Sequence, residues 1–127
     1  LREGIENVIW GLKNGIGGEI IVPKIPSYKI LDLAKAIDDK IKIKIIGTRP
    51  GEKIHEEMIT ISDGKNTLDI GSHYIIFNNK KVKEKYNKKF KGKKVPDNFF
   101  YSSNLNDNFL TVSELRKIIK KETKIKD

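Results

Sequence analysis

GGEIIVPKIPSYKILDLAKAIDDKIKIKIIGTRPGEKIHEE, residues 17–57, is the stretch whose reading decides the fold. Glu19-Ile-Ile-Val22 is a short apolar strand stopped by Pro23, and the breaker cluster Asn14-Gly-Ile-Gly-Gly18 leads into it. Ser27, just after Pro26, sits where a helix N-cap belongs. Ile30, Leu33, Ala34 and Ile37 then follow at helical spacing, which predicts an amphipathic helix from Ser27 to about Asp39. Ile41, Ile43, Ile45 and Ile46 alternate with lysines and then run together, predicting a second strand. Upstream, Ile5, Val8, Ile9 and Leu12 supply the i, i+3, i+4, i+7 stripe of a helix over Leu1 to Lys13. The order helix, strand, helix, strand is that of an α/β fold.

The segment after the second strand is dense in special residues. Pro50 suits the first turn of a helix, and Glu52, Glu56 and Glu57 complement the positive end of its dipole. This predicts a helix running to Met58 or Ile59. A polar loop over Ser62 to Asn66 follows, then short strands over Thr67 to Ile70 and His73 to Phe77 around Gly71-Ser72. Near the end, Thr111 and Glu114 have capping-box spacing, and Val112, Leu115, Ile118 and Ile119 give the last helix its apolar stripe.

A chain of 127 residues is long enough for one modest core. It has no cysteine, so disulfides and thiolate metal sites are excluded. No apolar run approaches the roughly 20 residues of a membrane span, and no signal-peptide pattern opens the chain, so the cytoplasm is the expected compartment. The first residue is Leu1, inside a helix, which suggests a piece of something longer. The formal net charge is +9, but Lys80 to Lys94 holds nine lysines against Glu84 alone, a local balance of +8. The basicity therefore belongs to one segment. Only three of the 26 basic residues are arginine, whereas phosphate and base-edge readers recruit arginine forks. A solvated lysine-rich connector is the expected reading, with a nucleic-acid-binding module as the alternative.

Several chemistries are missing. His55-Glu56 begins like a zinc-protease motif, but Ile59 stands where the second histidine would be. No phosphate-cradling Gly-x-x-x-x-Gly-Lys loop and no nucleophile elbow is present. Gly15-Ile-Gly-Gly18 follows a helix and opens a strand, the reverse of a dinucleotide fingerprint. The positive feature is Arg49 with Glu52 three residues on. Arginine offers a planar fork matched to a phosphate, and a carboxylate accepts from two vicinal hydroxyls such as those of a ribose. Placed at the carboxyl end of a strand, the two form a two-point clamp for a nucleotide sugar. The competing reading is a local Arg49–Glu52 ion pair at a helix start.

GTRPGEKIHEEMI resembles the RPGEK-L-HE segment of the nucleotide-sugar 4,6-dehydratases of the extended short-chain dehydrogenase/reductase superfamily, and more narrowly the inverting UDP-N-acetylglucosamine group. GGEIIVPKIPSYKILDLAKAI is similar to the segment just upstream in that family, and HYIIFN and GKKVPDNFFYSSNLNDNFLTVSEL to its C-terminal extension. Closely similar capsule and O-antigen enzymes share these features. The resemblance implies that Arg49 and Glu52 bind the UDP part of the substrate. It also implies that the NADP-binding Rossmann-type portion, with every catalytic residue, precedes Leu1, so that this chain alone is inactive; that no metal is expected follows from the residues themselves, with no second histidine beside His55. It further implies a full-length homo-oligomer acting on a UDP-sugar in polysaccharide or flagellin-glycan (pseudaminic acid type) biosynthesis, without nucleic-acid or membrane partners. Along the chain the expected organisation is a substrate-binding α/β portion over 1–79, the connector over 80–98 and a C-terminal extension over 99–127. A purely structural interaction domain is the remaining alternative.

Overall fold

A computed structural model describes residues 2–123, which divide into two compact units, each assembled from two stretches of chain. The first takes the residues up to Lys24 together with Glu57–Tyr101, and the second takes Ile25–Glu56 together with the residues from Ser102 onward.

In the first unit, helix α1 (Arg2–Asn14) leads into strand β1 (Ile20–Pro23). Strand β2 (Glu57–Ile59), the single-turn helix α3 (Ile61–Gly64), strands β3 (Thr67–Asp69) and β4 (His73–Ile76), helix α4 (Lys80–Phe90) and the short strand β5 (Lys93–Lys94) follow. The main sheet has the order β1-β4-β3-β5 and is antiparallel throughout. β4 lies inside it, pairing Ile75 with Ile21 on one side and with Leu68 on the other. Burial alternates along β4, with His73 and Ile75 inward, as a strand of period two requires. The two-residue turn Gly71-Ser72 joins β3 to β4, and the Ile70 N–H closes it on the His73 carbonyl at 3.0 Å.

The core gathers Leu68, Ile75 and Phe77 from the sheet side with Val82 and Tyr86 of α4, and Trp10, Ile16, Ile21, Ile70 and Phe90 pack against it. The lysine-rich segment is therefore not a solvated connector. Asn79 caps α4 by accepting the Val82 N–H at 3.0 Å. Val82 and Tyr86, four apart, then point one face of the helix inward while its lysines take the rest.

α1 forms where its periodicity places it but packs through the opposite face. Ile5, Val8, Ile9 and Leu12 are exposed, Leu12 to 82%. Asn7, Trp10, Gly11 and Asn14, a second i, i+3, i+4, i+7 set, are the half-buried ones. Trp10 stacks on His73 with ring centroids 4.2 Å apart, and Gly11 faces the Ile21 side chain. His73 is buried; its ring nitrogens bond Asn7 Oδ1 at 3.0 Å and Ser72 Oγ at 2.8 Å.

In the second unit, helix α2 (Ile30–Ile37) packs on the last helix, α5 (Val112–Thr123), burying Ala36 and Leu115. Thr111 and Glu114 form the expected cap: the Glu114 carboxylate accepts the Thr111 N–H at 2.8 Å and its hydroxyl at 2.7 Å. Ser27 is not an N-cap. It is buried in a parallel bridge to Phe109, donating its N–H to the Asn108 carbonyl and accepting the Leu110 N–H, and α2 starts three residues later without a side-chain cap. A 3₁₀ turn (Ser103–Leu105) opens the C-terminal stretch of this unit.

The α/β expectation holds as a mixture of helix and sheet, but two of its elements do not form. Ile41–Ile46 is exposed coil, because alternation becomes a strand only where a neighbour completes the ladder, and none does among the described residues. Residues 50–58 form no helix: Gly51, at φ +81°, leaves the right-handed region one residue after Pro50. The loop therefore does not sit at the carboxyl end of a strand.

Two outcomes test this packing. Trp10→Ala should destabilise the chain by roughly 2–4 kcal/mol, while Leu12→Lys should leave stability within about 0.5 kcal/mol; urea unfolding measures both. Burial also pushes the His73 pKa below its ordinary 6.5, so the unfolded chain takes up this proton first. Stability should be full above that value and fall as pH drops through it toward the depressed folded pKa. His73→Phe, which keeps the ring on Trp10, should flatten that part of the pH–stability curve.

Candidate functional site

Arg49 and Glu52 lie in the second unit, within an exposed run that extends from Ile37 to Met58. The backbone between them is a β-turn. The Glu52 N–H donates to the Arg49 carbonyl at 3.0 Å, Pro50 presets the first central position, and Gly51 at φ +81° takes the second. That combination is a type II turn, in which the third residue needs a positive φ and proline favours the second. Turn closure brings the two outer Cα atoms within about 7 Å. The side chains thus share one edge, as the expected helical turn would also have arranged.

The Glu52 carboxylate reinforces the turn, its Oε2 accepting the Arg49 backbone N–H at 2.8 Å. This is not the guanidinium–carboxylate pair of the competing reading. Among the described residues no carboxylate lies within ion-pair distance of the Arg49 guanidinium, and other cations do find partners: Lys24 with Asp69, Lys94 with Asp97 and Arg116 with Asp39. The turn thus presents an uncommitted planar cation beside a carboxylate whose remaining lone pairs are open.

The exit of the loop is fastened by a residue that sequence reasoning did not single out. Ser103 donates its N–H to the Glu56 carbonyl at 2.8 Å, and its Oγ accepts the Glu56 N–H at 3.0 Å. Both backbone polar groups of Glu56, which belong to the two peptide units on either side of its Cα, are taken by one residue 47 positions away. Tyr101-Ser-Ser-Asn104 lies within the stretch that resembles the family's C-terminal extension, but nothing local tells which backbone its hydroxyls meet.

Other candidates fall away on position. His55 is exposed in a bend rather than on a helix. Among the described residues no group of three or more His, Asp or Glu side chains gathers to hold a metal. Gly15–Gly18 runs from α1 into β1, and no glycine-rich turn among the described residues follows a strand and opens a helix, so these residues do not fit a dinucleotide cofactor. No described helix is long and apolar enough to cross a membrane.

A mixed helix and sheet chain with an arginine-bearing turn defines the class, and comparison with known proteins defines the family. Residues 1–78 match the family described as polysaccharide biosynthesis protein, and the chain belongs to that family. It is 41% identical to the UDP-N-acetylglucosamine 4,6-dehydratase (inverting) of Campylobacter jejuni subsp. jejuni serotype O:2, over 94% of this chain and 37% of that protein. It is 38% identical to the UDP-glucose 4-epimerase of Rickettsia canadensis, over 60% of this chain and 24% of that protein. The X-ray structure of Pen from Bacillus thuringiensis matches 96% of this chain and 37% of that one, with a TM-score of 0.73 and 25% identity. The chain thus spans a little over a third of the length of the dehydratase it matches.

The turn geometry yields its own test. Gly51→Ala places a Cβ at φ +81°, at a cost of roughly 1–2 kcal/mol. Hydrogen exchange of the Glu52 amide, which closes the turn, should accelerate about five- to thirtyfold.

Proposed function

We propose that this chain is the substrate-binding portion of a nucleotide-sugar dehydratase acting on UDP-N-acetylglucosamine in surface-polysaccharide biosynthesis, and that Arg49 and Glu52 hold the UDP moiety. The observation that carries this reading is the Arg49 guanidinium, which has no carboxylate partner among the described residues, because one oxygen of the turn's own carboxylate goes to the Arg49 backbone N–H instead. Its planar fork meets the pyrophosphate in charge-assisted hydrogen bonds. Glu52, on the same edge of the turn, accepts from the ribose hydroxyls through the lone pairs its Arg49 contact leaves open. The identity to the Campylobacter jejuni dehydratase over 94% of the chain supports the substrate class.

In this reading the chain binds and orients. Hydride transfer and water elimination belong to a portion outside it, which also binds NADP, and the full-length enzyme assembles as a homo-oligomer in the cytoplasm. A dehydratase shares the demand for a UDP grip with an epimerase, so the site alone does not choose between the two reactions; the dehydratase match is the longer one.

UDP titration of the chain, followed by NMR, is the experiment. Arg49→Ala removes charge-assisted bonds worth about 1.5–3 kcal/mol, so the dissociation constant should rise roughly ten- to a hundredfold. The same variant should bind uridine as the parent does. Undiminished UDP binding by Arg49→Ala would remove the clamp.

A further inference from the structure

We infer that Ser103 is a positioning residue for the Arg49–Glu52 turn, fixing the substrate loop from the C-terminal segment; this rests on the UDP-binding reading above. From Lys42 to Glu56 the chain is exposed and belongs to no helix or strand. Among the described residues, its backbone hydrogen bonds in that span are those of the turn itself, Arg49 with Glu52, and those of Glu56 with Ser103. The turn sets the local shape of the binding edge but cannot fix where that edge stands, because all its bonds are internal. The Ser103 contact is of the other kind. It takes the N–H and the C=O of Glu56 together, one from each peptide unit flanking that residue's Cα, which fixes both the place and the orientation of the backbone there, four residues beyond Glu52.

The segment carrying Ser103 is itself tied down. Ser102 is buried, and its Oγ donates to Asn104 Oδ1 at 2.6 Å. Asn106 donates to the Ile25 carbonyl at 2.7 Å and to Ser27 Oγ at 3.1 Å, and its own side-chain oxygen accepts the Asn108 N–H at 3.1 Å. Ser103 therefore passes to the loop the rigidity of a stretch bonded on both sides. Ordering a loop before the ligand arrives lowers the cost of binding, so the hydroxyl contributes to affinity without touching the ligand.

The test uses the 127-residue chain with UDP as probe. Ser103→Ala removes the acceptor for the Glu56 N–H and keeps the Ser103 backbone. It should speed Glu56 amide exchange and weaken UDP binding roughly two- to tenfold, the range set by one hydrogen bond. Ser103→Thr, which keeps the hydroxyl, should restore both. A double-mutant cycle with Arg49→Lys separates positioning from general weakening: once the fork is gone, Ser103→Ala should cost less than it does alone. Faster Glu56 exchange with unchanged UDP affinity would overturn the positioning role and leave the clamp standing, as would an equal loss in both backgrounds. UDP binding insensitive to Arg49 would overturn the clamp, and the positioning role with it.

Discussion

The return of the chain after Tyr101 is the constraint on which the second unit depends. Its helix α2 and its exposed loop come from Ile25–Glu56, and they have no partner in that stretch large enough to bury against. The C-terminal segment supplies one. Leu115 of α5 meets the α2 face that buries Ala36, and Arg116 closes the far end of that helix. Its guanidinium donates to the Lys35 and Ala36 carbonyls at 3.0 and 3.3 Å and to the Asp39 carboxylate at 2.7 Å. Carbonyls in the last turn of a helix have no intrahelical donor, and a cation there also answers the negative end of the dipole. One side chain thus terminates α2 and holds together segments some 80 residues apart in sequence.

The first unit solves a different problem, that of attaching a strongly basic helix. α4 gains little from its surface, where lysines stand beside lysines, and is held instead by Val82, Tyr86 and Phe90. Tyr86 is fully buried, and its hydroxyl donates to Glu19 Oε1 at 3.0 Å. The same oxygen accepts the Ile16 N–H at 2.6 Å. Burial pushes the Glu19 pKa up, but the hydrogen bonds from backbone N–H groups and from Tyr86 outweigh it, and the carboxyl titrates below its ordinary value. Burial, reinforced by Glu19, pushes the Tyr86 phenol up. The glycine-rich turn after α1 is thus locked to the lysine helix by an ionised carboxylate that has no direct lysine partner among the described residues.

Much of this was legible in the sequence, wherever a local pattern has one structural solution. The β3–β4 hairpin follows from two short β-rich runs around Gly71-Ser72, and the α5 cap follows from Thr111 and Glu114 at the right spacing. What was not legible depends on partners distant in the chain. The apolar stripe of α1 marks the helix, yet the helix packs through the opposite face, because the flat indole of Trp10 finds His73 and Phe90. Ile41–Ile46 has the alternation of a strand, but alternation states only which residues would share a face; it does not supply the neighbouring strand. Ser27 has the chemistry of a cap, and its backbone was claimed by Asn108 and Leu110 before the helix began.

The candidate site shows the same division between local and distant information. Arg49 and Glu52 could be named from the sequence as a pair on one edge, and the turn leaves them so, though Pro50-Gly51 reaches that arrangement by reversing the chain instead of starting a helix. The difference alters the role of Glu52. At a helix start its carboxylate would answer exposed N–H groups in general, whereas in the turn it bonds the amide of the very residue whose side chain carries the positive charge. If the turn holds UDP as proposed, a substitution at Glu52 therefore acts twice, on the ribose contact and on the shape that presents Arg49. Glutamine preserves the acceptor for the Arg49 amide and removes the charge, while alanine removes both. In that reading the gap between those two variants sets an upper bound on what the shape of the turn contributes to UDP affinity, since alanine also removes the acceptor that glutamine keeps for the ribose.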